Sequence, residues 1–170
     1  MKRQEFVEKL AAEHRIFGFK NLIYIDESGF DDHCHRDMGL GIKTRLVRGK
    51  CKRRTRTHLI MAQRHGLRSG KKEWLAPILF EGSCTTALVE TGIEQCLMKE
   101  LYEPTIIVMD NASFHNYKRI QDIIAPAYHD LSPLPPYSPD VNPIEKTFGA
   151  MKKRRQSLSE GSTIDQLVIS

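Results

Sequence analysis

The chain alternates short apolar runs with amphipathic stretches, and this alternation predicts both strands and helices. Apolar side chains at near-helical spacing predict a first helix over residues 3–16 that ends at Gly18. Ser28 and Gly29 predict a bend or a bulge where the first strand ends. Pro77 cannot donate to a strand ladder, so it predicts an edge strand or a bulge. Apolar, β-branched runs predict the first three strands at residues 21–27, 57–62 and 74–80.

The second half of the chain adds alternating helices and strands. Apolar spacing predicts a helix over residues 85–102, which Pro104 stops. Residues 105–109 form a continuous apolar run, which is typical of a central strand covered on both faces. A helix over residues 116–125 and a strand at 130–134 complete the pattern. The predicted fold class is α/β, with a mixed five-stranded sheet flanked by helices in one domain.

Positive charge is concentrated in one stretch of the chain. The whole sequence carries 26 Lys or Arg and 21 Asp or Glu, for a net charge of +5. Residues 38–72 hold twelve of the basic residues and no acidic one, so the remainder of the chain is net acidic. A dense basic run can neutralise phosphates and release counterions, which predicts nucleic-acid binding, with a solvated surface ribbon as the alternative. The cations of its densest part are Lys43, Arg45, Arg48, Lys50, Lys52, Arg53, Arg54 and Arg56.

Three simple patterns argue against membrane or secreted classes. No apolar stretch approaches the roughly 20 residues that a membrane-spanning helix needs, and the N-terminal residues lack the apolar core of a secretory signal. The four cysteines form no CxxC pair, which argues against a disulfide framework. We therefore expect a cytoplasmic protein without a membrane partner.

Three acidic residues stand where predicted elements end or begin. Asp26 and Asp110 each end an apolar strand run, and ligands of open α/β sheets gather at the carboxyl ends of strands. Glu145 closes the proline-rich stretch of residues 134–145 and, with Asn142 as the N-cap, falls in the first turn of a helix. Its carboxylate would lie at the positive end of the helix dipole.

Each acid also has a purely structural interpretation. Asn142 and Glu145 fit a capping box, in which the glutamate binds the backbone amide of the N-cap. Asp110 followed by Asn111 fits a turn after a strand, and Asp26 fits an ion pair with an arginine. The residues alone leave both interpretations open.

Convergence of the three carboxylates would point to bound cations, because mutual repulsion otherwise destabilises the fold. Hard oxygen ligands without a Cys or His cluster favour Mg²⁺ or Mn²⁺ over zinc. Two such ions about 4 Å apart activate an attacking oxygen and stabilise the leaving oxygen in phosphoryl transfer. The resulting hypothesis is a two-ion site beside a surface that binds a polyanion.

Several segments resemble the catalytic domain of DDE transposases, namely Tyr24–Phe30, Val108–His115 and Leu134–Glu145. Between Asp110 and Glu145 there are 34 residues, a gap that is common in bacterial insertion-sequence relatives of the mariner elements. Residues 75–82 also resemble the family's sequence between the first two acids. The resemblance covers residues 5–155.

The resemblance implies a ribonuclease H-like fold and a set of site residues. Asp26, Asp110 and Glu145 would form the catalytic, metal-binding triad, with two Mg²⁺ or Mn²⁺ ions. The implied reaction is DNA cleavage at element ends, followed by strand transfer of the freed 3′ hydroxyl to target DNA during transposition. Asn111 and His115 match positions near the site, where His115 would contact phosphate or a metal-bound water, or else would cap the next helix.

The resemblance also sets expectations for domains and partners. We expect an N-terminal helix at residues 1–20, a ribonuclease H-like DDE catalytic domain at 21–158 and a C-terminal tail at 159–170. Family members carry a helix-turn-helix domain, which we do not expect in this sequence, so we expect a DNA-binding partner from an upstream reading frame and a homodimer in a synaptic complex. The alternatives are a catalytically inactive DNA-binding remnant of a transposase, or a ribonuclease H-like nuclease acting on another nucleic acid.

Overall fold

The described part of the chain contains five α-helices and five strands. The computed structural model describes residues 2–17, 22–31, 56–65, 72–113, 115–136, 138–157 and 164–169. In chain order the elements are α1 (Lys2–Phe17), β1 (Leu22–Asp31), β2 (Arg56–His65), β3 (Lys72–Glu81), α2 (Thr86–Gln95), β4 (Ile106–Met109), α3 (Tyr117–Ile124), β5 (Asp130–Pro133), α4 (Ile144–Ser157) and α5 (Ile164–Ile169). Short 3₁₀ turns occupy Leu97–Lys99, Ala125–Ala127 and Pro139–Val141.

The strands form one mixed sheet in the order β3-β2-β1-β4-β5. β1 pairs antiparallel with β2, and β2 pairs antiparallel with β3. β4 pairs parallel with β1 on one side and with β5 on the other. Helix α3 connects β4 to β5, as a parallel pair requires a crossover. The predicted α/β class, a five-stranded mixed sheet flanked by helices, is confirmed.

β1 is longer than its apolar run. We predicted a bend at Ser28 and Gly29, whereas β1 continues to Asp31. The prediction of a bend is wrong because β2 pairs with β1 throughout this segment, with Gly29 opposite His58. Phe30 then fills the core, with 2% of its surface exposed.

Pro77 lies in β3, which is an edge strand of the sheet, as predicted. The pairing of β3 with β2 shifts its register between Ile60 and Ala62. Ala76 takes a positive φ of 47° opposite this shift, and its amide donates to Glu100 Oε1 at 3.2 Å. Both features predicted from the proline, the edge position and the bulge, are present.

Helix α2 ends earlier than its apolar spacing predicts. The prediction of one helix over residues 85–102 is wrong, because α2 ends at Gln95 and a 3₁₀ turn follows. Leu97 and Leu101 are nevertheless buried. The apolar spacing therefore indicates which positions of residues 85–102 are buried, but it does not indicate one continuous helix.

Side chains on the two faces of the sheet form two separate apolar clusters. Leu22 and Tyr24 of β1 point to the face covered by α1, α4 and α5. Ile23 and Ile25 point to the face covered by α2 and α3. β4 contributes fully buried side chains to both clusters, which confirms the prediction of a central strand covered on both faces.

Helix α4 is fixed to the sheet by apolar and polar contacts. Ile144 and Phe148 are buried in the cluster on the α4 face. One turn into the helix, the Thr147 hydroxyl donates to Gln63 Oε1 of β2, and Lys72 Nζ of β3 donates to the same hydroxyl at 3.1 Å. The first turn of α4 therefore has a fixed position over the sheet.

A helix lies within the C-terminal residues that we expected to form a tail. Ile164 and Leu167 of α5 are buried in the same cluster as Phe148 of α4. Their spacing of three residues places both side chains on one helix face. Neither α5 nor any other helix in the described residues has the length and apolar character to cross a membrane.

Candidate active site

The pairing of β1 with β4 brings Asp26 next to Asp110. The parallel pairing ends at Ile25 and Met109, and each acid is the next residue of its chain. Asp110 follows the end of β4, as predicted. Asp26 does not end its strand, because β2 continues to pair with β1 as far as Asp31. The two acids therefore lie side by side where β4 ends, although β1 itself continues past Asp26.

Glu145 reaches the same region from the first turn of α4. Asn142 accepts hydrogen bonds from the first two amides of this turn. The Ile144 amide donates to its side-chain Oδ1 at 3.4 Å, and the Glu145 amide donates to its backbone carbonyl at 3.3 Å. Ile144 is buried while Glu145 is exposed, so the packing of the helix turns the carboxylate away from the core. An ionised carboxylate is favoured at this end of a helix.

The three acids line one open cleft of about 410 Å³. A cleft of this size can admit a nucleotide-sized group. Arg56 and Lys152 stand in its wall beside the acids. The remaining lining residues are Ile25, Glu27, Ser28, Gly29, His58, Ile60, Cys84, Val89, Met109 and His115.

Negative charge accumulates around Asp26. The pKa of its carboxyl is raised from 3.8 to about 7, first by burial and then by the charges of Glu145, Asp110 and Glu27, against the lowering effect of the Glu27 amide. The negative charges of Glu145 and Asp110 therefore act on the Asp26 carboxyl. Such a site favours a proton or a cation at neutral pH.

Two donors hold the carboxylate of Asp26. The Glu27 amide donates to Oδ1 at 2.7 Å, and Asn142 Nδ2 donates to Oδ2 at 2.9 Å. The predicted N-cap of α4 thus also contacts the first acid. Among the described residues, the Asp26 carboxylate has no arginine partner.

The loop after β4 holds Asp110. His115 Nε2 lies 2.8 Å from Asp110 Oδ1, and the Tyr117 hydroxyl donates to the Asp110 carbonyl at 2.6 Å. Burial, with the charge of Asp110, raises the pKa of Tyr117 to about 12, so the phenol keeps its proton. The N-cap of α3 is Asn116, so the interpretation of His115 as a helix cap is wrong. Its ring contacts the Asp110 carboxylate instead.

Comparisons with known proteins agree with this geometry. The model of the DDE superfamily endonuclease family matches residues 21–168. The chain belongs to the DDE superfamily endonucleases.

Solved structures of Mos1 transposase share the fold of this DDE endonuclease chain. The match to its paired-end complex with the left transposon end has a TM-score of 0.66 and 16% identity, covering 90% of this chain and 47% of that one. The match to the catalytic domain of Mos1 mariner transposase has a TM-score of 0.62 and 13% identity, covering 98% and 76%. The predicted ribonuclease H-like fold is therefore confirmed. The chain spans about half the length of Mos1 in the paired-end complex, and the comparison with curated proteins gives no match.

A second polar group lines the cleft of this DDE endonuclease on the α2 side of the sheet. His58 Nδ1 lies 2.6 Å from Glu27 Oε1, and the His58 ring stacks at a tilt on Phe80, with centroids 5.3 Å apart. Burial raises the pKa of the Cys84 thiol to about 12, with a hydrogen bond to Glu27 adding to the effect. The thiol is therefore protonated at neutral pH, which makes it a poor nucleophile.

The predicted binding residues are only partly within the described residues. The run from Lys43 to Arg54 lies outside them. Arg56 is exposed in the cleft wall, lies against Gly29 and approaches Asp31 Oδ1 at 3.9 Å. Asn111 is exposed and is not among the residues that line the cleft.

Sequence reasoning missed several residues of the site. Glu27 follows Asp26 directly in the sequence, and this adjacency could have identified it as a residue of the cleft. His58 had none, because its contact depends on the register of β1 with β2. The role of Tyr117 had no signal either, and Asn142 was recognised only as a helix cap. The contacts of His58, Tyr117 and Asn142 join residues that are not neighbours in the sequence, so spacing alone did not reveal them.

The chemistry of the acids fits a hard divalent cation. Their carboxylate oxygens are the ligands that Mg²⁺ and Mn²⁺ prefer. The pKa of Asp26 is raised mainly by burial and further by neighbouring negative charges, which a cation would offset. In their present orientations, no three His, Cys, Asp or Glu side chains within the described ranges are gathered closely enough to enclose an ion. Asp26, Asp110 and Glu145 are the side chains that would hold one.

We expect the charge of Glu145 to weaken the fold at neutral pH. The pKa of Asp26 is higher in the folded chain, about 7, than its ordinary value of 3.8, so stability falls as pH rises through this interval. Glu145→Gln removes one source of repulsion and should raise the midpoint of thermal unfolding at pH 8 in EDTA by about 2 °C, a small effect because Glu145 is exposed.

The matched control is Glu94→Gln, since Glu94 is exposed on α2 and does not line the cleft. Its midpoint should equal that of the wild type at pH 8 and at pH 3. At pH 3, where Asp26 is protonated in both states, Glu145→Gln should also match the wild type. A midpoint at pH 8 that is unchanged or lower in Glu145→Gln would contradict the coupling of these acids.

Proposed function

We propose that the chain is the catalytic domain of a DNA transposase, which cleaves a DNA strand and transfers the freed 3′ end to target DNA. The observation that carries the proposal is the arrangement of Asp26, Asp110 and Glu145 around one cleft in a chain of the DDE endonuclease family. The similar fold of Mos1, which has been solved in paired-end and strand transfer complexes, supports it. The proposed branch is that of bacterial insertion sequences, which act in the cytoplasm.

The proposed cofactors are two Mg²⁺ or Mn²⁺ ions. When bound, such ions supply activation of the attacking oxygen and stabilisation of the leaving oxygen. The support from relatives is that Mos1 paired-end complexes have been solved with Mn and with Mg. The donor set of the cleft agrees with this class of ion.

Residues of the chain itself orient two of the three acids, Asp26 and Asp110. Asn142 and the Glu27 amide fix the two oxygens of Asp26. His115 orients one oxygen of Asp110. Glu145 remains exposed on a helix that the core holds in place. Fixed ligands lower the cost of reorganisation when substrate binds.

The proposed substrate is DNA, held by cations at the edge of the acidic cleft. Arg56 and Lys152 line the same cleft as the acids, and Lys152 Nζ lies over the Phe30 ring, 5.8 Å from its centre. The basic run of residues 43–54 would extend this surface. Because two DNA ends must be joined, we propose a homodimer in a synaptic complex, together with a DNA-binding partner encoded upstream.

Strand cleavage tests the proposal. The full chain should nick supercoiled plasmid DNA in the presence of Mn²⁺ or Mg²⁺, and EDTA should abolish nicking. Asp110→Asn removes a charged ligand while keeping the shape of the side chain, so the rate should fall by at least roughly 100-fold. Asp122→Asn, on the exposed side of α3, serves as the control and should nick like the wild type. Equal nicking by Asp110→Asn and wild type, or none by either, would contradict the proposal.

DNA affinity tests the cationic edge of the cleft. Lys152→Ala should weaken binding of duplex DNA uniformly across sequences and reduce the slope of log affinity against log salt by about 1, because one phosphate contact is lost. Lys99→Ala is the control, since Lys99 is exposed on a turn and does not line the cleft. Fluorescence anisotropy over a range of salt concentrations measures both. The same slope for Lys152→Ala and wild type would remove Lys152 from the binding surface.

A further inference from the structure

The Asn142 side chain makes two contacts that serve different purposes. Its oxygen, Oδ1, accepts the Ile144 amide at the start of α4 at 3.4 Å. Its nitrogen, Nδ2, donates to Asp26 Oδ2 at 2.9 Å, across 116 positions of the sequence. One side chain therefore joins the strand that carries Asp26 to the helix that carries Glu145.

Capping alone does not require the second contact. Thr85 caps α2 with a single exposed hydroxyl, which accepts the Leu88 amide at 3.2 Å. A hydroxyl or carboxylate at position 142 would cap α4 in the same way. Asn142 instead is 97% buried, and it directs an amide donor at a carboxylate. The donor half of the side chain is thus available for a role at the cleft.

Asp26 needs such a donor because it is a partly buried carboxylate. Its two oxygens offer about four positions for hydrogen bonds or ion ligation. The Glu27 amide occupies one position on Oδ1, and Asn142 Nδ2 occupies one on Oδ2. These two contacts fix the rotation of the carboxylate and leave a lone pair on each oxygen. A buried carboxylate without such donors is costly and free to rotate.

The surroundings of Asn142 keep its amide in place. The preceding proline-rich loop is tied to α1, where Arg3 donates to the Ser138 hydroxyl at 3.1 Å and lies 3.2 Å from Asp140 Oδ1. On the other side, Thr147 connects α4 to Gln63 of the sheet. Asn142 is held between these two attachments, so its position relative to Asp26 is set by the fold.

We propose that Asn142 is a positioning residue of the acidic cleft, which sets both the orientation of Asp26 and its separation from the helix turn that presents Glu145. This inference rests on the proposed function, because it concerns how the acids are arranged for a divalent ion. The Asn142 side chain contacts Asp26 and the start of α4, so its effect on the site would be exerted through Asp26.

Two variants of the full chain separate the capping role from the donor role. Asn142→Ser keeps a capping oxygen but is too short to reach Asp26, so it should still fold, with a midpoint of thermal unfolding lowered only by the loss of the donor to Asp26. Asn142→Ala loses both contacts and should also lower the midpoint. Thr85→Ala is the control, because it loses a helix cap that has no contact with the acids.

The readouts are Mn²⁺ affinity, from the electron paramagnetic resonance signal of the free ion, and plasmid nicking. Both Asn142 variants should bind Mn²⁺ about 10- to 100-fold more weakly and show a similar fall in kcat, with KM for DNA unchanged. Thr85→Ala should change the unfolding midpoint and leave Mn²⁺ affinity as in the wild type.

Two outcomes would overturn the inference, and they are distinguishable. If the wild type binds Mn²⁺ and nicks DNA while Asn142→Ser does both equally well, Asn142 is only a helix cap and the proposed function stands. If the wild type neither binds Mn²⁺ nor nicks DNA, the proposed function fails and the positioning role fails with it.

Discussion

The acidic cleft depends on the parallel pairing of β1 with β4, which ends at Ile25 and Met109. The residues that follow Ile25 and Met109 are both aspartates, so this register places Asp26 and Asp110 side by side. β4 is buried on both faces and pairs with β5 on its other side, so the register cannot slip without moving buried side chains to the wrong face of the sheet. A short central strand thereby fixes the centre of the site.

The same arrangement has a cost in electrostatic energy. Three carboxylates around one cleft repel each other, and burial raises the pKa of Asp26 to about 7. The fold offsets part of this cost with hydrogen bonds from the Glu27 amide and Asn142. His115 contributes in the same way at Asp110. The remaining negative charge is what would attract a divalent cation, so the feature that weakens the fold also defines its proposed chemistry.

Much of this architecture could be predicted from local pattern. The apolar runs identified all five strands, and the proline in β3 indicated both an edge and a bulge. The Asn142 cap correctly predicted that Glu145 lies in the first turn of a helix. These features depend on residues that are neighbours in sequence, where propensity and capping determine the outcome.

The errors arose where distant residues decide the structure. β1 continues through Ser28 and Gly29 because β2 pairs with it there. The contact between Glu27 and His58 depends on the same register, and the partner of the Asn142 amide lies on a different strand. Sequence spacing recognised the acids as candidates, but only the tertiary structure shows which neutral side chains orient them.

The most direct test of the account is the location of bound Mn²⁺ in crystals of the full chain, from anomalous scattering near the manganese absorption edge. The account predicts a peak in the cleft within ligation distance of carboxylate oxygens from Asp26 and Asp110, with Glu145 turned towards the same ion or a second one. A map in which the cleft shows no peak at saturating Mn²⁺, or in which the ion lies away from these acids, would contradict it.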